Sequence, residues 1–352
     1  MDSLLSQAAP HFARHETFHP RYGWFSKGVT AASVDPGVFS SDEAMIELGV
    51  GKNMVSAIRF WGRAAKVIED DVPASGTRLS RTVVTNNGRL LLDVHQGLDP
   101  YLELAGSLWL LHWWMLSPRC LLPVWWIAFN IMGAIEFGDD DLGESVLTAV
   151  ERVPAWARPS QSSLSKDVDC LIRMYTAGRA QRSTVDDILD CPFRDLGLIR
   201  PSWADHRRYR FQLGPKPSLP HAITAYACIC FIQRDLGGAQ TATLNRLASA
   251  PGSPGKVFKL TEDALLQSLE AHAAVQPEVQ VVMTGGIAQL VLRDDPSVLA
   301  QRALGHYYRE HGRLLPSPDF LNGARTEPSF ATTTEAAPYL PALRAPATPG
   351  PL

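Results

Sequence analysis

The stretch from Leu104 to Phe137 constrains this chain more than any other. It is almost wholly apolar and carries Trp109, Trp113, Trp114, Trp125 and Trp126. That much aromatic surface must leave water. A bilayer is not its destination. His112, Arg119 and Pro123 interrupt the run, and each half is about 15 residues, where a spanning helix needs about 20. The pattern predicts two helices buried in protein, with His112 as a satisfied core histidine. Residues 1–16 lack a basic start followed by a long apolar stretch, so no secretory signal is expected. The expected setting is cytoplasmic, with no membrane partner.

At 352 residues, 45% apolar and 20% charged, the chain can bury such a core without disulfide staples and has room for more than one domain. The cysteines agree. Cys120, Cys170, Cys191, Cys228 and Cys230 are odd in number and form no CxxC pair, so they read as reduced thiols rather than a zinc site. Net charge is -3, so any nucleic-acid site must be a local basic patch.

Such a patch lies at residues 40–66. Ser40 or Ser41 caps a helix whose first turn carries Asp42 and Glu43, acids placed at the positive end of the dipole. Gly49 ends that helix, because glycine tolerates the positive φ of a sharp turn. A second helical stretch runs from Asn53 to Glu69. Val50, Val55 and Ile58 would face inward against Met45 and Leu48, with Ala44 small at the crossing. Lys52, Asn53, Ser56, Arg59 and Arg63 would then face outward, at the end of a helix-turn-helix that enters the major groove. Asn suits adenine edges and Arg guanine edges; Arg and Lys also meet phosphates.

After a turn at 73–76, residues 78–85 look strand-like, Asn86-Asn87-Gly88 looks like a hairpin turn, and 89–94 like the return strand. Helix, turn, helix, hairpin is the order of a winged helix, with Arg78, Arg81 and Arg89 as wing contacts. Seven Lys or Arg against three acids between residues 50 and 89 give the patch its charge.

The expected fold class is mostly α with a small α+β part: a winged-helix-like DNA-binding domain at 1–96, a helical domain at 97–316, and a disordered tail at 317–352. Residues 1–39 read as loop and short strand. From 99 to 312 the pattern is mostly helical, broken by prolines.

Other chemistry is thin. His15-Glu16-Thr17-Phe18-His19 matches the zinc-protease pattern, but Pro20 follows at once, and the motif works only on a helix. The Asp139-Asp140-Asp141 run reads as a solvated loop, although carboxylates can hold Mg²⁺. Asp167 and Asp169 are two apart, hence not on one helical face. His206-Arg207-Arg208-Tyr209-Arg210 is a second basic cluster with an aromatic. Thr284-Gly285-Gly286 is not a phosphate loop.

Several of these segments, in this order, resemble a known family. They are His15-Glu16-Thr17-Phe18 with Gly23-Trp24-Phe25 and Lys27-Gly28; the turn at 48–55; Gly97–Glu103 with Ser107–Trp113; Lys166–Cys170; Asp190–Ile199; and Thr284–Leu290 with Tyr307-Tyr308. Together they look like the B component of Ssp-type DNA phosphorothioation systems, over about residues 10–312.

The resemblance implies a role in DNA sulfur modification and anti-phage defence, beside a cysteine desulfurase, a reductase-like enzyme and an ATPase, with duplex DNA as substrate. It also implies DNA nicking, with Mg²⁺ or Mn²⁺ as the metal if the chain nicks. His15, Glu16, Arg21 and Lys27 are the catalytic candidates because they lie in the family-like segment. No metal ligand is assigned, and His19 does not belong to the family pattern. A helix-turn-helix transcriptional regulator with a helical dimerisation or ligand domain is the alternative, and an interaction scaffold a third reading.

Overall fold

A computed structural model of the chain describes residues 3–71, 81–176, 191–205, 207–237 and 239–322. After α1 (Ser3–Gln7) come α2 (Trp24–Val34), a 3-10 turn at Val38–Ser40, α3 (Ala44–Leu48) and α4 (Lys52–Ala64). β1 (Ile68–Asp71) and β2 (Arg81–Val84) then pair antiparallel, Ile68 opposite Val84 and Asp71 opposite Arg81. α5 (Asn86–Leu92) follows directly.

Three expectations need correction. Residues 1–39 hold two helices rather than loop and strand. The second helix of the pair stops at Ala64, and Ile68–Asp71 is a strand, not its tail. The turn at 86–88 and return strand at 89–94 do not exist: residues 86–92 form α5. Thr85 caps it, its hydroxyl oxygen accepting the Gly88 N–H at 3.1 Å. Leu90, Leu91 and Leu92 are all buried, which a strand with one wet face could not achieve. A Cβ on Gly88 would lie 2.1 Å from the Val67 carbonyl oxygen, so this close approach needs glycine. A hairpin does follow the helix pair, but it is β1–β2. Arg78 and the turn at 73–76 lie outside the described residues.

The Trp-rich run behaves as its composition requires. α6 (Ala105–Leu116) is buried from Gly106 to Leu116, on every side. α7 (Pro123–Trp126) continues into a π-helical turn, Ile127–Ile131, equally enclosed up to Asn130. Beyond it lie β3 (Glu136–Gly138), α8 (Asp139–Glu151), α9 (Gln161–Tyr175), a 3-10 turn at Pro192–Leu196, β4 (Ile199–Pro201) and β5 (Arg208–Phe211). The chain proceeds through α10 (His221–Asp235), β6 (Thr241–Thr243), α11 (Leu244–Ser249), α12 (Pro254–Phe258) and α13 (Glu262–Ala273). β7 (Val279–Thr284), β8 (Ile287–Leu292), α14 (Pro296–Glu310) and α15 (Pro318–Asn322) complete it. Two antiparallel sheets, ordered β3-β5-β4 and β6-β8-β7, interrupt a region expected to be helical. The fold is mostly α with small antiparallel sheets. The expected disordered tail needs correction at its start, where 318–322 form α15 with Leu321 buried in the core, and 323–352 lies outside the described residues.

One contiguous apolar core joins Leu4 to Leu321 and includes residues on both sides of position 96. Three of the polar side chains within it are held by hydrogen bonds. His112 donates from Nε2 to the Val257 carbonyl (2.9 Å) and accepts the Tyr175 hydroxyl at Nδ1 (3.0 Å), as a satisfied core histidine should. Lys66 crosses from the end of α4 to donate to the carbonyls of Trp114 and of Ser117 (2.9 Å), closing the C-terminus of α6. Lys259 does the same for the π-turn through Phe129 (2.8 Å), its ammonium 4.0 Å from the centre of the Phe211 ring. All five cysteines are free, and burial pushes the Cys120 and Cys191 thiols up to about 11 and about 12, away from reactive thiolate. Among the described residues, no helix is long and apolar enough to cross a membrane.

Candidate nucleic-acid interface

The α3–α4 pair is a helix-turn-helix built by local signals. Ser41 Oγ accepts the Glu43 N–H at 3.1 Å ahead of α3. Gly49 closes α3 at φ 60, and Val50 N–H returns to the Met45 carbonyl at 3.1 Å. Ala44, Leu48 and Val55 form the small core between the helices, against Ala31, Phe39 and Val50. Ile58 is buried against α2, where Gly28 leaves room for it. Met45, expected inside, is largely exposed.

The first residues of α4 are the open part of this unit. Gly51 stands at the cap position and offers no side chain, so the first N–H groups of α4 have no side-chain acceptor. Lys52, Asn53 and Ser56 are exposed there. A positive helix end, a lysine and two short polar side chains are what a phosphate or a base edge can use.

Arg59 and Arg63 are placed differently. Both turn onto Asp70 of β1, Arg59 at 2.8 Å and Arg63 at 3.2 Å, so one acid holds two arginines from the next turns of α4. Glu69 and Asp71 of the same strand are exposed. The hairpin therefore brings negative charge to the flank of the helix. Arg81 is exposed on β2, opposite Asp71 in the register. Arg89 lies half-buried in α5, where burial lowers its pKa. The patch also has members that sequence spacing could not reveal. His11 lies close enough to Arg63 and Arg14 that burial first, then these two guanidiniums, holds its pKa below the ordinary value. Some 50 residues separate His11 from Arg63, and only the fold joins them.

The His15-to-His19 segment is a clasp, not a zinc helix. Glu16 and Thr17 have φ of 51 and 68, and Ala13 has 54. His15 is 1% exposed, and its Nε2 meets Asp167 of α9 at 2.7 Å. Its Nδ1 accepts the Thr17 N–H at 3.1 Å, so both ring nitrogens are used. Asp167 also takes the Ala13 N–H on both oxygens at 3.0 Å. Arg173 holds the Thr17 carbonyl at 2.7 Å, and Trp61 Nε1 the Phe18 carbonyl at 2.9 Å. Of the other three catalytic candidates, Lys27 donates to the Leu48 carbonyl at 2.8 Å and closes α3. Arg21 lies over the Trp24 ring at 5.8 Å, and Glu16 is exposed.

No group of three or more His, Cys, Asp or Glu among the described residues could hold a metal ion. The Asp139–Asp141 run is the first turn of α8. Asp141 accepts the Gly138 N–H at 2.8 Å and pairs with Arg208 at 2.9 Å. Asp169 pairs with Arg173 at 3.1 Å. These acids do not converge on a cation.

Comparison with known proteins adds a second line of observation. Residues 12–308 match the model of a family described as a protein of unknown function (DUF4007). A crystal structure of SspB superposes with a TM-score of 0.83 at 37% identity, covering 92% of this chain and 95% of that one. A magnesium ion-bound SspB crystal structure gives 0.80 at 38% identity, covering 94% and 93%. No curated protein matches.

Proposed function

We propose, from the premise that this chain belongs to the DUF4007 family and is an SspB-like protein, that it is the DNA-binding component of a DNA phosphorothioation and anti-phage defence system. The observation that carries this is the exposed end of α4, where Lys52, Asn53 and Ser56 surround an uncapped helix start. Duplex DNA is the substrate. The helix-turn-helix, within a winged-helix-like unit at 1–96, grips it, with exposed Arg81 of β2 as the wing contact. The part at 97–316 docks a cysteine desulfurase, a reductase-like enzyme and an ATPase of the same system, in the cytoplasm.

The reading extends to nicking, which would open a strand for sulfur incorporation. His15 and Lys27 are committed to structural contacts. Glu16 is the exposed carboxylate of the four candidates. It sits in a turn where Ala13, Glu16 and Thr17 all have positive φ, each costing about 1–3 kcal/mol, a strain often kept at functional sites. We place Glu16 nearest the chemistry, with Mg²⁺ or Mn²⁺ supplied from solution; one of the similar structures is magnesium-bound.

Supercoiled plasmid tests it. With either metal, the purified chain converts plasmid to open circle, and Glu16→Gln abolishes conversion while folding normally. Sharp binding to its own promoter without nicking would contradict the reading and favour a regulator.

A further inference from the structure

The β3-β5-β4 sheet turns Tyr209, Phe211 and Phe137 into the core. Its other face is cationic. Arg200 of β4 and Arg210 of β5 are direct register partners and both are exposed. Like charges placed opposite each other across a strand pair cost stability. Among the described residues, neither has an ion pair. Glu136, the register neighbour of Arg210 on β3, approaches Arg208 instead, at 3.5 Å.

The loop that joins β4 to β5 carries Trp203, 93% exposed, the most exposed large apolar side chain among the described residues. The loop is closed beneath it. Ser202 N–H donates to the Arg208 carbonyl at 2.8 Å, and Arg208 N–H to the Asp205 carbonyl at 2.9 Å. Asp205, the loop's acid, accepts the backbone N–H of Arg207 at 2.8 Å, and Arg207 itself is exposed.

An uncovered indole beside an uncompensated arginine pair suits a polyanion that carries planar rings. We infer that this face binds single-stranded DNA, with Trp203 stacking on a base and Arg200, Arg207 and Arg210 holding the backbone. Base–aromatic stacking with a cationic track is the general mode of single-strand binding. A protein partner fits less well, since interface centres are depleted of charge and this face carries the facing arginines Arg200 and Arg210. This inference deepens the DNA-handling reading and rests on it: an opened strand would have somewhere to go, away from the duplex grip on α4.

Fluorescence anisotropy with a labelled oligothymidylate and, separately, a labelled duplex tests it on the full chain. Trp203→Ala is expected to weaken the single strand roughly tenfold. It should leave duplex affinity unchanged, and Trp203→Phe should restore part of the loss. Arg200→Ala with Arg210→Ala should lower the single-strand salt slope by about 0.7 for each phosphate no longer neutralised. Because Trp203 touches almost nothing, its removal should not unfold the chain; an unchanged Tm confirms that.

Equal single-strand affinity in wild type and Trp203→Ala, with duplex binding intact, overturns this inference alone. Single-strand binding that needs Trp203, with no duplex binding, supports it and overturns the duplex reading. Binding of neither overturns both. Loss of a protein partner but not of oligonucleotide would assign the face to protein docking and overturn the inference.

Discussion

Asp167 shows how far a single residue can mislead or inform. From sequence it is one of two acids on an ordinary helix, and His15 the start of a zinc-protease match. In the fold they meet at 2.7 Å, 152 positions apart, and Asp167 also anchors the Ala13 N–H. The pattern could not reveal this, because the second partner of His15 lies on a distant helix. Pro20 did signal that the segment would not be helical. Removing the carboxylate strands a buried imidazole N–H and a backbone N–H. Asp167→Ala should therefore cost about 3 kcal/mol of stability, read from a urea midpoint, and Asp167→Asn less. An unchanged midpoint with abolished nicking would instead make the pair part of the chemistry. The same limit hid the Arg59–Asp70–Arg63 fork, whose acid sits on a strand that reads as the end of a helix.

Elements were legible where local chemistry left one solution. Gly49 and the apolar spacing of Val55 and Ile58 define the helix pair, whose first helix starts at Ala44 rather than at a Ser41 cap, and the Trp run defines two buried helices. They were illegible where one string suits two structures. Thr85-Asn86-Asn87-Gly88 serves equally as a hairpin turn and as a capped helix start, and burial of three successive leucines decided for the helix. Ile68–Asp71 has three acids in four residues and carries no strand signal.

Two buried lysines close helical elements, and they set a pH response. Burial holds the Lys66 and Lys259 ammonium groups down to about 7, against an ordinary 10.5. Between those values the unfolded chain holds the extra protons, so stability rises with pH. Above about 9 the buried thiols act in the opposite sense, since their folded pKa values lie above the ordinary 9.0. Thermal unfolding should therefore show Tm rising from pH 7 to about pH 9. Replacing both lysines by Met should flatten that rise, and a slope unchanged in the double variant would contradict it.

At the scale of the whole molecule, the helix pair, through α4, and the body share one core. Lys66, two residues past the end of α4, fixes the end of the Trp-rich α6, and Trp61 of α4 stacks within 6.2 Å of His15, which α9 holds. The two ends of this arrangement, the helix pair and the tryptophans, were legible in local patterns. Their union was not, because it depends on contacts between distant segments.

The central proposal is that the exposed start of α4 holds duplex DNA. Its most direct test is duplex affinity across a salt series for wild type and for Lys52→Ala with Asn53→Ala and Ser56→Ala. The predicted result is weaker binding at fixed salt and a log–log slope reduced by about 0.9, as expected when one lysine no longer neutralises a phosphate. Equal affinity and equal slope in the folded triple variant would contradict it.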